Sequence, residues 1–550
     1  MATLSSEVAI PIPTFDKRQQ ASNQSSTIGF AIPKLKERYT DELVIALVGP
    51  VGSGCTTVAT LLADTFQREY AYAVERYRMS DYIGEYANLV DESVDPNLQG
   101  SERVRHLQKV GDKLRKTFDP GYLAAKVIEK IAEVRAQVGT AQTAEGLDVA
   151  ISQRRVHIID SLKNPSELQL LRRTYGNMLW VFGVFAPESV RKERLVHAQK
   201  LDLASLELII STDYSEVGDH GQSVKDVFHE ADFFVRNDRS TEEDVKKALG
   251  RYLEILFGYP VHTPTTDESA MYAAHAEASK SACMSRQVGA SITSAAGEII
   301  GLGRNDVPRF GGGLYGEDAS GPDNRCYKWT GKCCHNDQKK EALYEEIAKR
   351  LADSGLLAKS ADKSAVISEL KQTAVKQLIE YSRAVHAEMD AIVSVARSNK
   401  AGLSGGTLYA TTFPCHSCAR HIVASGIARV LYIEPYPKSL ALDLHRDAVS
   451  EDQHMAPEMV VFLQYSGVAP KNMLPLFKSK LTRKDSDGKL REFDKRTASP
   501  LVAVSLDDFP THEKYVIAEY AKHEENAKQQ RQATLFGSGS SDADSPSAPS

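Results

Sequence analysis

The run ELVIALVGPVGSGCTTVATLLADTF, residues 42–66, constrains the fold more than any other stretch of the chain. An unbroken apolar segment of strand length leads into glycines and then into a helical pattern, so it reads as strand, tight turn, helix. A strand apolar on both faces belongs inside a sheet covered on both sides. The alternation continues downstream. RRVHIIDSLKNPSE and NMLWVFGVFAPES supply further short apolar runs that end in turn residues, ADFFVRND supplies a last one, and helical stretches separate them. Strands alternating with helices predict an α/β domain over residues 41–250, a parallel sheet with helices on both faces. Residues 1–40 are polar, proline-punctuated and aperiodic, and read as a flexible arm.

At 550 residues the chain is too long for one core. A second domain is expected over residues 268–480. There RQVGASITSAAGEIIGLGRND reads strand, turn, strand, and GGTLYATTF, ARVLYIEPY and MVVFLQYSGV read as three more strands. An insert at about 307–380 interrupts it, residues 481–524 form a C-terminal extension, and the polar, Ser-rich residues 525–550 are expected to be a disordered tail. No apolar run has membrane-spanning length, and the opening residues lack the basic-then-apolar order of a secretory signal, so a cytoplasmic protein without membrane association is expected. A formal net charge of −6 gives no global drive toward nucleic acid. The seven cysteines cluster in motifs, which favours metal binding or catalysis over disulfides.

His-Ala-Glu occurs twice, at His275–Glu277 and at His386–Glu388. Only the second copy is followed by Pro414-Cys415-x-x-Cys418, which completes the His-x-Glu…Pro-Cys-x-x-Cys signature of zinc nucleobase deaminases. Cys415 and Cys418, three apart at a helix start, can place both sulfurs on one side, and a helix N-terminus favours thiolates. His386 supplies a third ligand and leaves one tetrahedral position open, as a catalytic zinc requires. Glu388, two residues from His386, is close enough to shuttle protons without ligating. The alternative is a buried zinc staple, which would usually fill all four positions with Cys or His. The first copy lies in an Ala-rich helical stretch and reads as packing or surface.

In the order MYAAHAEASKSACMSRQVGASI, GRND, HAEMDAI and TLYATTFPCHSCARHIVASGIARVLYIEPYPKS, the second domain resembles the deoxycytidylate deaminases. The resemblance implies a cytidine-deaminase-like α/β/α sandwich, a Zn2+ held by His386, Cys415 and Cys418, a proton shuttle at Glu388, free deoxycytidine nucleotides as substrate, and assembly as a homo-oligomer. It also implies a sugar contact at Asn305 and a basic position at Arg286, where a guanidinium can grip phosphate or form a surface ion pair. Phe413 can stack on the base or belong to the core. The insert departs from the simplest members of that family. Its Cys326, Cys333, Cys334 and His335 form a Cys/His cluster that either binds a second metal or carries free thiols on a Gly-rich flap.

GPVGSGCT, residues 49–56, matches the phosphate-loop pattern G-x-x-x-x-G-K-[ST] except that Cys55 stands at the lysine. Gly49, Gly52, Gly54 and Thr56 can still present backbone N–H groups and a helix start to a phosphate, while efficient phosphoryl transfer is not expected without the ammonium. Asp160 at a strand end is placed for Mg2+ beside a nucleotide, and Arg191 and Arg194 stand where a lid would close, or on a solvated helix face. The first domain thus resembles P-loop nucleotide kinases. Joined to the second, it resembles the bacterial anti-phage dCTP/dCMP deaminases, which implies dCMP or dCTP as substrate and restraint by a small inhibitory RNA in some systems. A polynucleotide deaminase and a nucleotide-sensing regulatory protein are the rival readings. Gln532 followed by Leu535-Phe536 resembles peptides that dock on sliding clamps, or is incidental hydrophobicity in a linker.

Overall fold

Leu43–Val48 (β1) is buried at every residue, as a strand covered on both faces must be. It lies inside a six-stranded sheet with Ala73–Arg78 (β2), Arg155–Leu162 (β3), Leu179–Phe185 (β4) and Phe233–Arg236 (β5). These strands run parallel, with β1 between β3 and β4. The glycine loop leaves the C-terminal end of β1, the edge where ligands bind open α/β sheets. Cys55–Arg68 (α1) starts directly behind Gly54, whose φ of 89° suits glycine. Tyr122–Ala136 (α2) and Leu203–Tyr214 (α3) are among the helices that cover this unit. The computed structural model describes residues 38–537 apart from 143–147, 200–202, 215–219, 239–240, 319–320, 359, 399–401, 437, 457 and 479–481.

The second sheet is mixed. Gly289–Thr293 (β6) and Ile299–Arg304 (β7) form an antiparallel hairpin, and Thr407–Thr412 (β8) pairs antiparallel with β6. Arg429–Glu434 (β9), Val449–Ser450 (β10) and Val460–Gln464 (β11) then continue in parallel, giving the order β10-β11-β9-β8-β6-β7. Side chains alternate across it with the period of two that strands impose. Tyr409, Leu431 and Ile433 pack with Ala270, Met271 and Ala274 of Thr266–Ala278 (α4), while Leu408, Ala410, Val430 and Tyr432 pack with Ala387, Cys415 and Cys418. The insert contributes His335–Asp353 (α5), and the second face carries Ala387–Ser398 (α6) and His416–Ala424 (α7). The α6 backbone lies against β7 because position 303 has no side chain. A Cβ on Gly303 would stand 2.3 Å from both the Ala387 oxygen and the Ala391 nitrogen. The expected α/β class and sandwich are what the structure shows.

The boundary between the units is less simple than the sequence suggests. Gly467–Val468 (β12) lies within residues 268–480 yet pairs antiparallel with β5, on the edge of the first sheet. Glu268 at the start of α4 is fully buried, pairs with Arg251 at 2.7 Å and accepts from the Val468 N–H at 3.0 Å. The C-terminal extension returns to the first unit as well. Glu513, on Phe509–Gly537 (α8), pairs with buried Arg135 of α2 at 3.0 Å, and Tyr122 donates to Glu524 at 2.8 Å.

Two expectations need correction. Disorder was expected from residue 525, but α8 runs on to Gly537. The residues there are mostly Glu, Gln, Lys, Arg and Ala, strong helix formers that extend a helix already docked by its first turns. The flexible arm does not reach residue 40 either. Arg38 pairs with Asp507 at 2.7 Å, Tyr39 bridges to Ser505, and the Thr40 N–H donates to the Val504 oxygen at 2.9 Å. The rest of the arm, residues 1–37, and residues 538–550 lie outside the described residues, as do the side chains of Gln532, Leu535 and Phe536. Among the described residues no helix is long and apolar enough to cross a membrane.

Candidate active site

α6 and α7 start side by side at one end of β7 and β8, and their first residues make the site. The strand β8 ends at Thr412, Phe413-Pro414 carries the chain across, and Cys415 caps α7 from an extended conformation. His386 immediately precedes α6, so its ring reaches the two sulfurs. Its Nδ1 lies 3.3 Å from Cys415 Sγ and 3.4 Å from Cys418 Sγ. The three donor atoms lie within 4.8 Å of one another. A tetrahedral zinc with bonds of about 2.1 Å to nitrogen and 2.3 Å to sulfur spaces its ligands by roughly 3.6 Å, so this donor set fits that ion. Both sulfurs are buried and hydrogen-bonded to each other. Hydrogen bonding from Cys418, then His386, draws the Cys415 thiol down to about 4, while the same contact pushes Cys418 up.

Glu388, on the first turn of α6, is 5% exposed, and burial lifts its carboxyl above the ordinary range against the pull of His386. It shares with His386 and Cys415 the wall of a cavity of about 210 Å³. An acid held neutral more readily than usual, beside a metal site and open to a cavity, can accept and return protons.

The remaining expected residues divide. Asn305 and Arg286 both line the cavity. The Asn305 side chain accepts from the Val288 N–H at 2.7 Å and donates to the Arg286 carbonyl at 2.8 Å, so it clamps the 286–288 backbone to the end of β7. Arg286 is half exposed and pairs with Glu434 at 2.6 Å. Phe413 is buried edge-on against Tyr432 and Phe462, with centroids at 4.8 and 5.5 Å, and also reaches the cavity. The first His-Ala-Glu is elsewhere: Glu277 pairs with Lys280 and, at 3.7 Å, with Arg304.

The second metal site is a correction. Among the described residues, the one group of three or more His, Cys, Asp or Glu side chains close enough to hold an ion is His386, Cys415 and Cys418. Cys326, Cys333, Cys334 and His335 are not brought together. Adjacent Cys333 and Cys334 sit in the turn before α5, and the His335 ring stands edge-on to Trp329 with centroids 5.1 Å apart. Cys326, Cys334 and His335 instead line the cavity, as does Arg383, whose guanidinium stacks 3.6 Å from the Trp329 ring centroid. The insert therefore forms part of the cavity wall. Neither Arg383 nor Glu434 carries a motif, and their pairing partners lie far along the chain, so no local pattern marks them.

In the first unit, Gly49, Gly52, Gly54, Cys55 and Thr56 form the turn and first residues of α1 as expected. A Cβ on Gly49 would stand 2.4 Å from the Val184 oxygen, and Gly52 has a φ of 81°. Cys55 is buried, and that burial pushes its thiol up to about 11, so it is no substitute for an ammonium. Arg191 and Arg194 reach the loop carbonyls of Val51 and Gly52, at 3.2 and 3.5 Å.

Residues 264–434 match the family described as cytidine and deoxycytidylate deaminase zinc-binding region. Over 55 residues the chain is 44% identical to the deoxycytidylate deaminase of Enterobacteria phage T2, which covers 10% of this chain and 29% of that protein. Over 49 residues it is 51% identical to the probable deoxycytidylate deaminase of Drosophila melanogaster, covering 9% of this chain and 23% of that one. The chain thus spans less than a third of the length of these curated relatives. Among solved structures, the dCMP deaminase of cyanophage S-TIM5 aligns over 37% of this chain and all of its own at 18% identity, with a TM-score of 0.21. A shikimate kinase from Aquifex aeolicus aligns over 38% of this chain and 96% of its own at 15% identity, with a TM-score of 0.22.

Proposed function

We propose that the chain is a zinc-dependent hydrolase that deaminates free deoxycytidine nucleotides, dCMP first among them, to the matching deoxyuridine nucleotides. The observation that carries this reading is the His386, Cys415, Cys418 triad with buried Glu388 on the wall of the same cavity, inside a deaminase zinc-binding region. Zinc, when bound, lowers the pKa of water to about 7 and so supplies a nucleophile near neutral pH. Glu388 takes one proton from the water that adds to C4 of the cytosine and delivers it to N3, then carries the remaining proton of the C4 hydroxyl to the amino group, so that the C4–N bond breaks, ammonia leaves and the C4 carbonyl forms. Asn305 holds the cavity wall, and its carbonyl oxygen has a second lone pair for a sugar hydroxyl. Arg286 and Arg383 place positive charge on the cavity wall, where it suits the substrate phosphate.

Extension of the substrate to dCTP, and of the role to depletion of deoxycytidine nucleotides during phage infection, rests on the resemblance of the paired domains to anti-phage deaminases. The expected homo-oligomer and small inhibitory RNA rest on it too. The purified chain incubated with dCMP, dCTP, CMP and single-stranded DNA, with ammonia measured, tests the reading. Release from dCMP but not from CMP or DNA is the expected result, and preferential release from DNA would overturn it.

A further inference from the structure

The loop after β1 has no lysine of its own, yet a cation stands beside it. Lys163, just past the end of β3, donates from Nζ to the Gly49 carbonyl at 2.8 Å, and its charge acts on the Cys55 thiol. The same ammonium pairs at 2.7 Å with Asp213 of α3, a carboxylate 3% exposed. Asp213 in turn accepts from the Val51 N–H at 2.6 Å. A backbone N–H of the glycine loop and the nearest ammonium are therefore both satisfied by one anion, and that anion belongs to the protein. This is the pair of contacts a phosphate oxygen would make in such a loop.

A second observation points to a ligand. Asp160, 6% exposed on β3, receives the Thr56 hydroxyl from the start of α1, but its Oδ2 has no hydrogen-bond partner among the described residues. A buried carboxylate oxygen left without a partner is destabilising. Beside a phosphate loop, a hydrated divalent cation carried by a phosphate chain would satisfy it.

We propose that residues 49–56 form a phosphate site held in a self-plugged state: Lys163 stands in for the lysine that Cys55 replaces, and the Asp213 carboxylate occupies the cradle until an incoming phosphate chain displaces it. The ligand class is a polyphosphate, free or carried by a nucleotide. Binding is weak because the ligand competes with a tethered carboxylate.

The test is calorimetric titration of the full zinc-loaded chain with ATP plus Mg2+ and, separately, with inorganic pyrophosphate plus Mg2+. Asp213→Asn, which keeps the shape and removes the competing charge, should tighten binding on the order of tenfold, and Lys163→Met should weaken it by a similar factor. Lys163→Arg should recover much of the loss, and the thermal midpoint of each variant reports whether it is folded. Binding of ATP alone assigns the site to a nucleotide, and equal binding of pyrophosphate assigns it to the phosphate chain; either supports the proposal. Asp213→Asn binding no more tightly than the native chain, folded Lys163→Met binding as well as native, or no binding by native and Asp213→Asn alike would overturn it.

Discussion

The zinc site and the phosphate loop lie at comparable places, each at strand ends where a helix begins, but they are assembled differently. The zinc site draws its ligands and its acid from two short motifs, and each motif is a helix start. The phosphate loop keeps its backbone, while its cation and its anion arrive from Lys163, just past the neighbouring strand, and Asp213 on a distant helix. A site whose donors come from two helix starts depends on each of those residues. A site assembled from separate elements can lose a loop residue and retain the charge.

The largest effect that would break this comparison is at the zinc ligands. Cys418→Ser is expected to lose the metal and all measurable deamination, because removal of one of three ligands leaves an unpaired thiolate and a histidine. Metal analysis and ammonia release on the same preparation check it, and full zinc occupancy with normal turnover would show that the triad is not the site.

The next effect belongs to the first unit. His157 on β3 is 1% exposed, its Nδ1 lies 2.9 Å from the Tyr77 hydroxyl, and burial, with Arg135 and Arg155 nearby, pulls it from 6.5 down to about 3. The unfolded chain takes up that proton first. The stability from a neutral His157 is complete above pH 6.5 and drains by about 1.4 kcal/mol per unit as pH falls from 6.5 toward 3. Urea midpoints measured down to pH 5 should therefore fall less steeply for His157→Gln than for the native chain. Identical slopes would remove this histidine from the account.

These contrasts also show what could be read from residues alone. The triad was legible because its members fall in two short motifs whose internal spacing is a property of helix starts. The parallel first sheet was legible because β1 and β4 are apolar throughout, as buried strands are. Lys163 and Asp213 were not, since a single lysine and a single aspartate have no local signature and meet only once β3 and α3 are packed. The Cys326 to His335 cluster left two readings open because it is rich in ligand types; metal binding requires that sulfurs and rings converge, and with two cysteines adjacent in a turn the free-thiol reading is the one that fits. Glycine at 303 decides how closely α6 approaches the sheet, yet in sequence it is one glycine among 35. The docking of α8 on α2 escaped for a similar reason: composition reports helix propensity and solubility, not the partner surface.

The smallest effect is the most useful control. Glu277→Gln removes the acid of the first His-Ala-Glu, an ion-pair partner of Lys280 and Arg304 outside the cavity lining. Turnover of dCMP should stay within about threefold of native, the scale of a lost partly screened ion pair. A folded but inactive Glu277→Gln protein would mean that the chemistry belongs to the other copy.

The central claim is that Glu388 moves protons in a site whose metal is held by other residues. Glu388→Gln tests it most directly, with bound zinc and ammonia release from dCMP measured on one sample. The account predicts zinc at the native level and turnover lowered by about 10²–10⁴-fold, the usual contribution of a positioned proton carrier. Near-native turnover in the zinc-loaded variant would contradict it.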